Sequence, residues 1–197
     1  MLNSMQLTKW SHHLWEALLP NGGVAIDATC GGGYDTLFLA RKAKYVLAYD
    51  IQKEAIETTR RRLEEAGLCN VDLHLACHST IDTPAHLIVY NLGYLPGSDK
   101  TVATQFTTTM QSLQKALELL LPGGAISIMC YDGHDVGKIE TEAVMDWAKN
   151  LSRAGWAVYL HRLWNTELGP KTLLIQKLHR RANKIERSAD KAFATSL

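Results

Sequence analysis

Val24-Ala25-Ile26-Asp27-Ala28-Thr29-Cys30-Gly31-Gly32-Gly33-Tyr34-Asp35-Thr36-Leu37-Phe38-Leu39-Ala40 is the stretch on which the fold turns. Its first four residues form a short apolar run that ends in an acid, the pattern of a buried strand. Three glycines follow Cys30, and then a segment with Leu37, Phe38 and Ala40 on one helical side. Strand, glycine turn and helix together open an α/β unit that can take a ligand at the turn, because glycine lets the backbone pass close to a ligand where a Cβ would clash. A second strand, Tyr45–Asp50, again ends in an acid, 17 residues after Gly33. Ligands of such sheets sit beyond the carboxyl ends of the strands, so an acid there can accept both hydroxyls of a ribose.

Outward from this unit the alternation continues. Residues 4–19 carry Leu7, Trp10, Leu14 and Leu18 at helical intervals and stop at Pro20-Asn21-Gly22-Gly23. Helices are predicted over 34–42, 53–66 (closed by Gly67), 104–121 and 139–154, and strands over 71–75, 85–90 and 125–130. Pro122-Gly123-Gly124 is expected to end the 104–121 helix and turn into the fifth strand. Two β-rich runs, 156–163 and 171–178, have no room for a helix between them and should pair antiparallel at one sheet edge. The expected fold is α/β and doubly wound: a mostly parallel seven-stranded sheet with a C-terminal antiparallel hairpin, Rossmann-like. Residues 1–178 form this one domain, and 179–197 a basic tail with five Lys/Arg against two Asp/Glu in its first 13 residues.

Composition narrows the classes. A chain of 197 residues, 46% apolar and 21% charged, is a single globular domain and not a collagenous, low-complexity or disordered one. No run approaches ~18 apolar residues, and the first residues lack the basic-then-apolar layout of a signal peptide, so a cytoplasmic protein without membrane partners is expected. Cys30, Cys69, Cys77 and Cys130 make no CxxC and read as reduced thiols. His12-His13 and His74/His78 match no metal signature, so no metal is expected. A net charge of +1 excludes a globally basic nucleic-acid coat but leaves a local RNA patch open.

The glycine turn by itself fits a dinucleotide, a ligand-free tight turn, or S-adenosylmethionine. Two details favour the last. Asp27 stands before the turn, where it can receive an ammonium, and Asp50 is followed by Ile51-Gln52, which can reach an adenine. Position 36 is Thr, so the GxGxxG of the dinucleotide folds is missing. A second constellation, Asn91-Leu92-Gly93-Tyr94, follows the fourth strand. The Asn91 amide oxygen and the Leu92 carbonyl can hold the hydrogens of an amine. Gly93 allows close approach, and Tyr94 can stack on a flat substrate. The turn resembles the Asn/Asp-Pro-Pro-Tyr turn of amine-directed methyltransferases, with Leu-Gly replacing Pro-Pro; an ordinary strand-to-loop turn is the bland alternative.

With both turns read, the chain resembles the small class I methyltransferases once labelled rRNA methylases and related to the bacterial tRNA 5-(aminomethyl)-2-thiouridine methyltransferase. The likeness rests on IDATCGGGYDTLFLA, on YDIQ at 49–52, on His78, on YNLGYLPGSDK at 90–100, on residues 107–138 and on LLIQK at 173–177. It implies methyl transfer from S-adenosylmethionine to the 5-aminomethyl amine of wobble uridine 34, with the anticodon stem-loop of tRNA as partner and a homodimer allowed. By position it assigns Asp27, Thr29, Gly31, Gly33, Asp35 and Thr36 to the first cofactor motif, Asp50 and Gln52 to ribose and adenine, and Cys77 and His78 to the adenine flanks. The chain departs from the family at Gly32-Gly33-Tyr34, where Asn-Gly-His is usual, at Cys77 for Ser, and before the last strand, where a Pro-Pro is usual and Leu168-Gly169-Pro170-Lys171 stands.

An RNA substrate also needs phosphate contacts and a pocket for one splayed base. Lys100, Lys138, Arg162 and Lys171 are the cationic candidates, and Trp164-Asn165 can line a nucleoside pocket. His134, after the fifth strand, can contact the base or help deprotonate the amine, or merely bond a loop backbone. His12-His13 falls on the first helix, near where such enzymes cover the cofactor. A methyltransferase for rRNA or a small-molecule amine, and a non-catalytic S-adenosylmethionine- or RNA-binding module, are the competing readings.

Overall fold

The computed structural model describes residues 3–93, 104–131, 135–166 and 169–179. Val24–Asp27 (β1) lies between two parallel neighbours, Tyr45–Asp50 (β2) and Ala85–Asn91 (β4), and β2 pairs in turn with Val71–Leu75 (β3). Strands covered on both faces read as continuous apolar runs, which is why Ala25, Ile26, Val46, Leu87, Ile88 and Val89 are all fully buried. Leu120–Cys130 (β5) extends the parallel set beside β4. Lys171–Lys177 (β7) then runs antiparallel to β5, and Trp156–Arg162 (β6) antiparallel to β7. The sheet has seven strands in the order β3-β2-β1-β4-β5-β7-β6, the predicted architecture with its closing hairpin.

Helices cover both faces. Asn3–Leu18 (α1), Tyr34–Ala40 (α2) and Lys53–Glu65 (α3) place Trp15, Leu39, Ala40 and Leu63 against Ala25, Val46, Leu87 and Val89. On the other face Phe106–Leu119 (α4) and Asp135–Lys149 (α5) bring Leu113, Ala116, Val144 and Ala148 onto Ile26, Ile88, Ile126 and Ile128. Asp27, Asp50 and Asn91 end their strands at one lip of the sheet. Because β6 is antiparallel to an antiparallel strand, it ends there too: Cys130 pairs with Lys171, and Lys171 with Arg162.

Three details differ from the sequence reading. Pro122-Gly123-Gly124 does not separate helix from strand. The strand starts at Leu120, which pairs with Ala85, and the ladder shifts register before Leu87 meets Ala125. Gly123 takes φ +78, and a Cβ on Gly124 would lie 2.6 Å from the His86 carbonyl oxygen, so the glycines build a bulge within the strand. Next, α5 spans Asp135–Lys149 where 139–154 was expected; the chain leaves the helix into a turn in which the Ser152 carbonyl accepts from Gly155 and Trp156. Finally, His78–Thr80 form a single 3-10 turn. The predicted site residues Tyr94, Lys100 and His134, the departure at Leu168, and the tail from 180 onward lie outside the described residues. Among the described residues no helix is long and apolar enough to cross a membrane.

Candidate active site

The glycine turn is built against α3. Gly33 has φ 76, and a Cβ there would sit 2.7 Å from Thr59 Oγ1 and 2.9 Å from Thr59 Cα, so no side chain fits. Thr59 Oγ1 donates to the Gly31 carbonyl at 3.1 Å and Arg62 Nε to the Gly32 carbonyl at 2.8 Å, while the Arg62 guanidinium lies 3.8 Å from the centre of the exposed Tyr34 ring. Asp50 fixes the turn from the other side. Its Oδ2 accepts from the Gly31 N–H and its Oδ1 from the Gln52 N–H, both at 2.9 Å. A carboxylate oxygen has two lone pairs, so each retains room for one more donor, which a vicinal diol supplies.

Asp27 is fully buried. It accepts from Thr36 Oγ1 at 2.6 Å and from the Thr29 N–H at 3.3 Å. Burial first, then the nearby Asp35 charge, pushes its pKa up to about 7 against these two hydrogen bonds. Thr29 also ties β1 to β4, since its Oγ1 accepts the Asn91 N–H at 2.7 Å.

Asn91 is the centre of the acceptor side. Its Nδ2 donates to Asp35 Oδ2 at 2.5 Å. An ionised carboxylate only accepts, so the NH2 half of the amide must face it and Oδ1 is turned the other way. The second oxygen of Asp35 lies 2.5 Å from His12 Nε2, and the His12 ring stacks on Phe38 at 4.1 Å. A chain of three side chains thus runs from α1 through α2 to the end of β4. His13 stays out of it and bonds the Lys9 carbonyl of its own helix. Tyr131, just past β5, donates to Met129 Sδ at 2.9 Å; burial and then the Asp35 charge push its phenol up to about 12, which keeps it neutral. The Leu92 N–H bonds the Met129 carbonyl. Gly93 and Thr104 exchange bonds at 2.9 Å, and Thr104 Oγ1 donates to Glu140 Oε2 at 2.6 Å, so the end of the acceptor turn at Gly93 is tied to α5.

At the expected adenine flank, His78 is buried. That residue is 7% exposed, and its ring packs edge-on to the buried Tyr90, 6.0 Å away. Burial drops its pKa to about 4, and Nδ1 has no partner. The His78 side chain therefore belongs to the core, held there through Ser112, which donates to the His78 carbonyl and bonds the Tyr90 hydroxyl, each at 2.8 Å. Cys77 is half-buried and accepts from Ser79 Oγ at 3.2 Å. Lys138 and Asn165 are exposed, on the first turns of α5 and just past β6. The contributions of His12 as a partner of Asp35, of Tyr131 and of Glu140 are additions that the motifs did not disclose. No cluster that could hold a metal exists among the described residues.

A seven-stranded sheet of this order, with a glycine turn bonded to the acid that ends β2 and an asparagine ending β4, defines the class I methyltransferase fold. Residues 46–177 match the family model described as "Putative rRNA methylase". The chain belongs to that family. It is 35% identical over 188 residues, 86% of this chain and 69% of the other, to a protein of Arabidopsis thaliana named "tRNA (mnm(5)s(2)U34)-methyltransferase, chloroplastic". A crystal structure of an rRNA methylase homologue from Clostridium thermocellum superposes with a TM-score of 0.84 at 34% identity, covering 90% of this chain and 99% of that one. A methyltransferase homologue from Streptococcus mutans, solved in complex with SAH, gives a TM-score of 0.80 at 37% identity over 87% of this chain and 97% of that one.

Proposed function

We propose that this chain methylates the 5-aminomethyl nitrogen of wobble uridine 34 in tRNA. S-adenosylmethionine is its cofactor, in keeping with the SAH-bound relative. The donor set fits: Asp50 keeps an open acceptor position on each oxygen beside a turn that carries no side chain at Gly31, Gly32 or Gly33. Asp50 and Gln52 hold the ribose and adenine end, Asp27, Thr29, Asp35 and Thr36 shape the floor of the turn, and Cys77 lies beside the adenine. When bound, the cofactor supplies a methyl group activated by a sulfonium.

The observation that carries the reading is the orientation of Asn91. With its NH2 locked on Asp35, its Oδ1 is an acceptor, and an acceptor at this lip holds an amine by its hydrogens. The chain's own work is to place a neutral amine. An alkylammonium titrates near pKa ~10 and must first give a proton to water. The nitrogen lone pair then forms the new N–C bond while the C–S bond breaks. That step redistributes charge without creating it, so placement and exclusion of water supply most of the acceleration. Leu92 and Gly93 complete the acceptor turn, with Tyr94 to stack the base and His134 to meet it. Lys100, Lys138 and Asn165 are assigned to the RNA. The Arabidopsis relative, by its name, supports the tRNA substrate. Residues 1–178 act as the domain, 179–197 as a basic extension, and the compartment is the cytoplasm.

Asn91→Ala tests this directly. Loss of one aligned polar group is expected to lower kcat by about 10²–10³-fold, with SAH affinity changed by no more than a few-fold in a calorimetric titration. Retention of full turnover would end the amine-holding role. Nucleoside mass spectrometry of tRNA lacking the methyl, before and after treatment with the protein, checks the substrate. A methyl gained on ribosomal RNA and none on aminomethyl uridine would replace the proposal with the rRNA reading.

A further inference from the structure

A groove of about 600 Å³ opens between α1 and the end of β6, lined by Leu7, Trp10, Leu160, His161, Arg162 and Trp164 among others. Its walls are unusual for a surface that touches only water. Trp164 is 85% exposed and Trp10 51%, two large aromatic faces left outside the core. Both are held in place. Trp10 Nε1 donates to His161 Nδ1 at 3.3 Å, which pins the ring edge to β6, and the Arg162 guanidinium lies 4.9 Å from the centre of the Trp164 ring. Exposed aromatic faces with a guanidinium beside one of them are the combination that receives an unstacked nucleobase and its phosphate. An arginine already stacked on an aromatic is pre-organised for both tasks.

Position adds a second, independent indication. Arg162 pairs with Lys171 and Lys171 with Cys130, while the neighbouring Met129 pairs with Asn91. Three strand spacings of about 4.8 Å, roughly 14 Å in all, therefore separate the backbone at the acceptor turn from the groove along the same lip. α1 joins the two: its His12 is bonded to Asp35 and its Trp10, two residues earlier, to His161. A nucleotide a short way along the strand from one whose base sits at Asn91 comes within reach of the groove.

We propose that this groove stacks a base neighbouring the target nucleotide of the RNA substrate, between Trp10 and Trp164, with Arg162 on its phosphate. The inference rests on the reading of the substrate as RNA and deepens it, since it assigns a second nucleotide subsite apart from the amine pocket. A 600 Å³ groove has room for a nucleobase, and Arg162 in its lining complements a phosphate.

The test uses the full chain and an unmodified anticodon stem-loop oligoribonucleotide, titrated by quenching of tryptophan fluorescence. Trp164→Ala and Trp10→Ala should each weaken binding by about ten-fold or more, the usual cost of losing one base–aromatic stack. Trp164→Phe should retain most of the affinity, because it keeps a stacking face. Arg162→Ala should weaken binding and make its salt dependence shallower by about one phosphate. SAH affinity should be unaltered in the Trp164 variants, which reports that the domain is intact. Wild-type protein that does not bind the stem-loop, or Trp10 and Trp164 variants that bind it as wild type does, would overturn the proposal. So would sedimentation showing a wild-type dimer that Trp164→Ala dissociates with RNA affinity unchanged, since the groove would then serve a second copy. Methyl transfer separates this idea from the one beneath it. A protein that binds through the groove yet leaves aminomethyl uridine untouched loses the proposed reaction and keeps the subsite. A Trp164→Ala variant with wild-type kcat/KM on tRNA loses the subsite alone.

Discussion

A carboxylate that grips an imidazole with one oxygen and an amide with the other leaves neither partner free to rotate, and Asp35 does this for His12 and Asn91. Asparagine in its place offers one acceptor where two are needed. Either His12 must take the tautomer whose Nε2 accepts, or one of His12 and Asn91 loses its partner, or the Asn91 amide flips and presents its NH2 where the proposed reaction needs an acceptor. Asp35→Asn is accordingly expected to lower kcat about 10–100-fold while KM for the methyl donor moves by less than about three-fold. Steady-state kinetics with saturating tRNA checks this, and a variant impaired only in donor KM would leave Asp35 its place in the cofactor turn and remove its hold on Asn91 from the reaction. At this scale the sequence was legible where position follows from strand ends: Asp50 and Asn91 had to reach the lip once β2 and β4 were recognised. The contact between His12 and Asp35 was not, because it spans 23 residues and depends on how α1 lies across α2. The packing of His78 was not legible for a related reason. A histidine after a strand looks like a ligand contact, and only the packing of α4, through Ser112, shows that its ring belongs with Tyr90.

Elements were legible wherever periodicity was strong and less so where a breaker motif sits inside a strand. Pro122-Gly123-Gly124 carries every mark of a helix stop, and α4 does stop just before it, at Leu119. What the motif conceals is that Leu120 already pairs with Ala85, so the turn is absorbed as a bulge between two stretches of one ladder. Gly124 is the point of closest approach, its missing side chain lying over the His86 carbonyl. The His86 ring in turn accepts the Val24 N–H at 3.1 Å, so the bulge is wired to the start of β1. A methyl group at Gly124 has to push backbone, not a flexible side-chain end. Gly124→Ala should therefore cost about 1–3 kcal/mol or somewhat more, as overpacked sites do. Urea unfolding at equilibrium would show it as a lower midpoint with an unchanged slope. A midpoint equal to wild type would mean the bulge relaxes freely and the register shift is not fixed by this glycine.

Across the whole molecule, two buried titratable groups on opposite sides of the sheet pull the pH dependence of stability in opposite directions. Asp27 has its pKa raised from 3.8 to about 7 by burial and the Asp35 charge. Its contribution is complete below about 4 and is lost as pH rises toward 7, because the folded state holds the proton that the unfolded state releases. His78 has its pKa lowered from 6.5 to about 4 by burial. Its contribution is present above 6.5 and is lost as pH falls toward 4, because the unfolded state takes the proton first. Between about pH 4 and 6.5 the two slopes oppose, each limited to about 1.4 kcal/mol per pH unit for one proton. Removing one exposes the other. Relative to wild type, Asp27→Asn should make stability rise more steeply with pH across this window, and His78→Gln should make it fall with pH, extending to about 7. Thermal unfolding midpoints of the three proteins, measured in matched buffers from pH 4 to 7.5, decide the matter. Parallel profiles for both variants and wild type would show that Asp27 and His78 carry ordinary pKa values in the fold, and the dry environment assigned to each side of β1 and β4 would have to be redrawn.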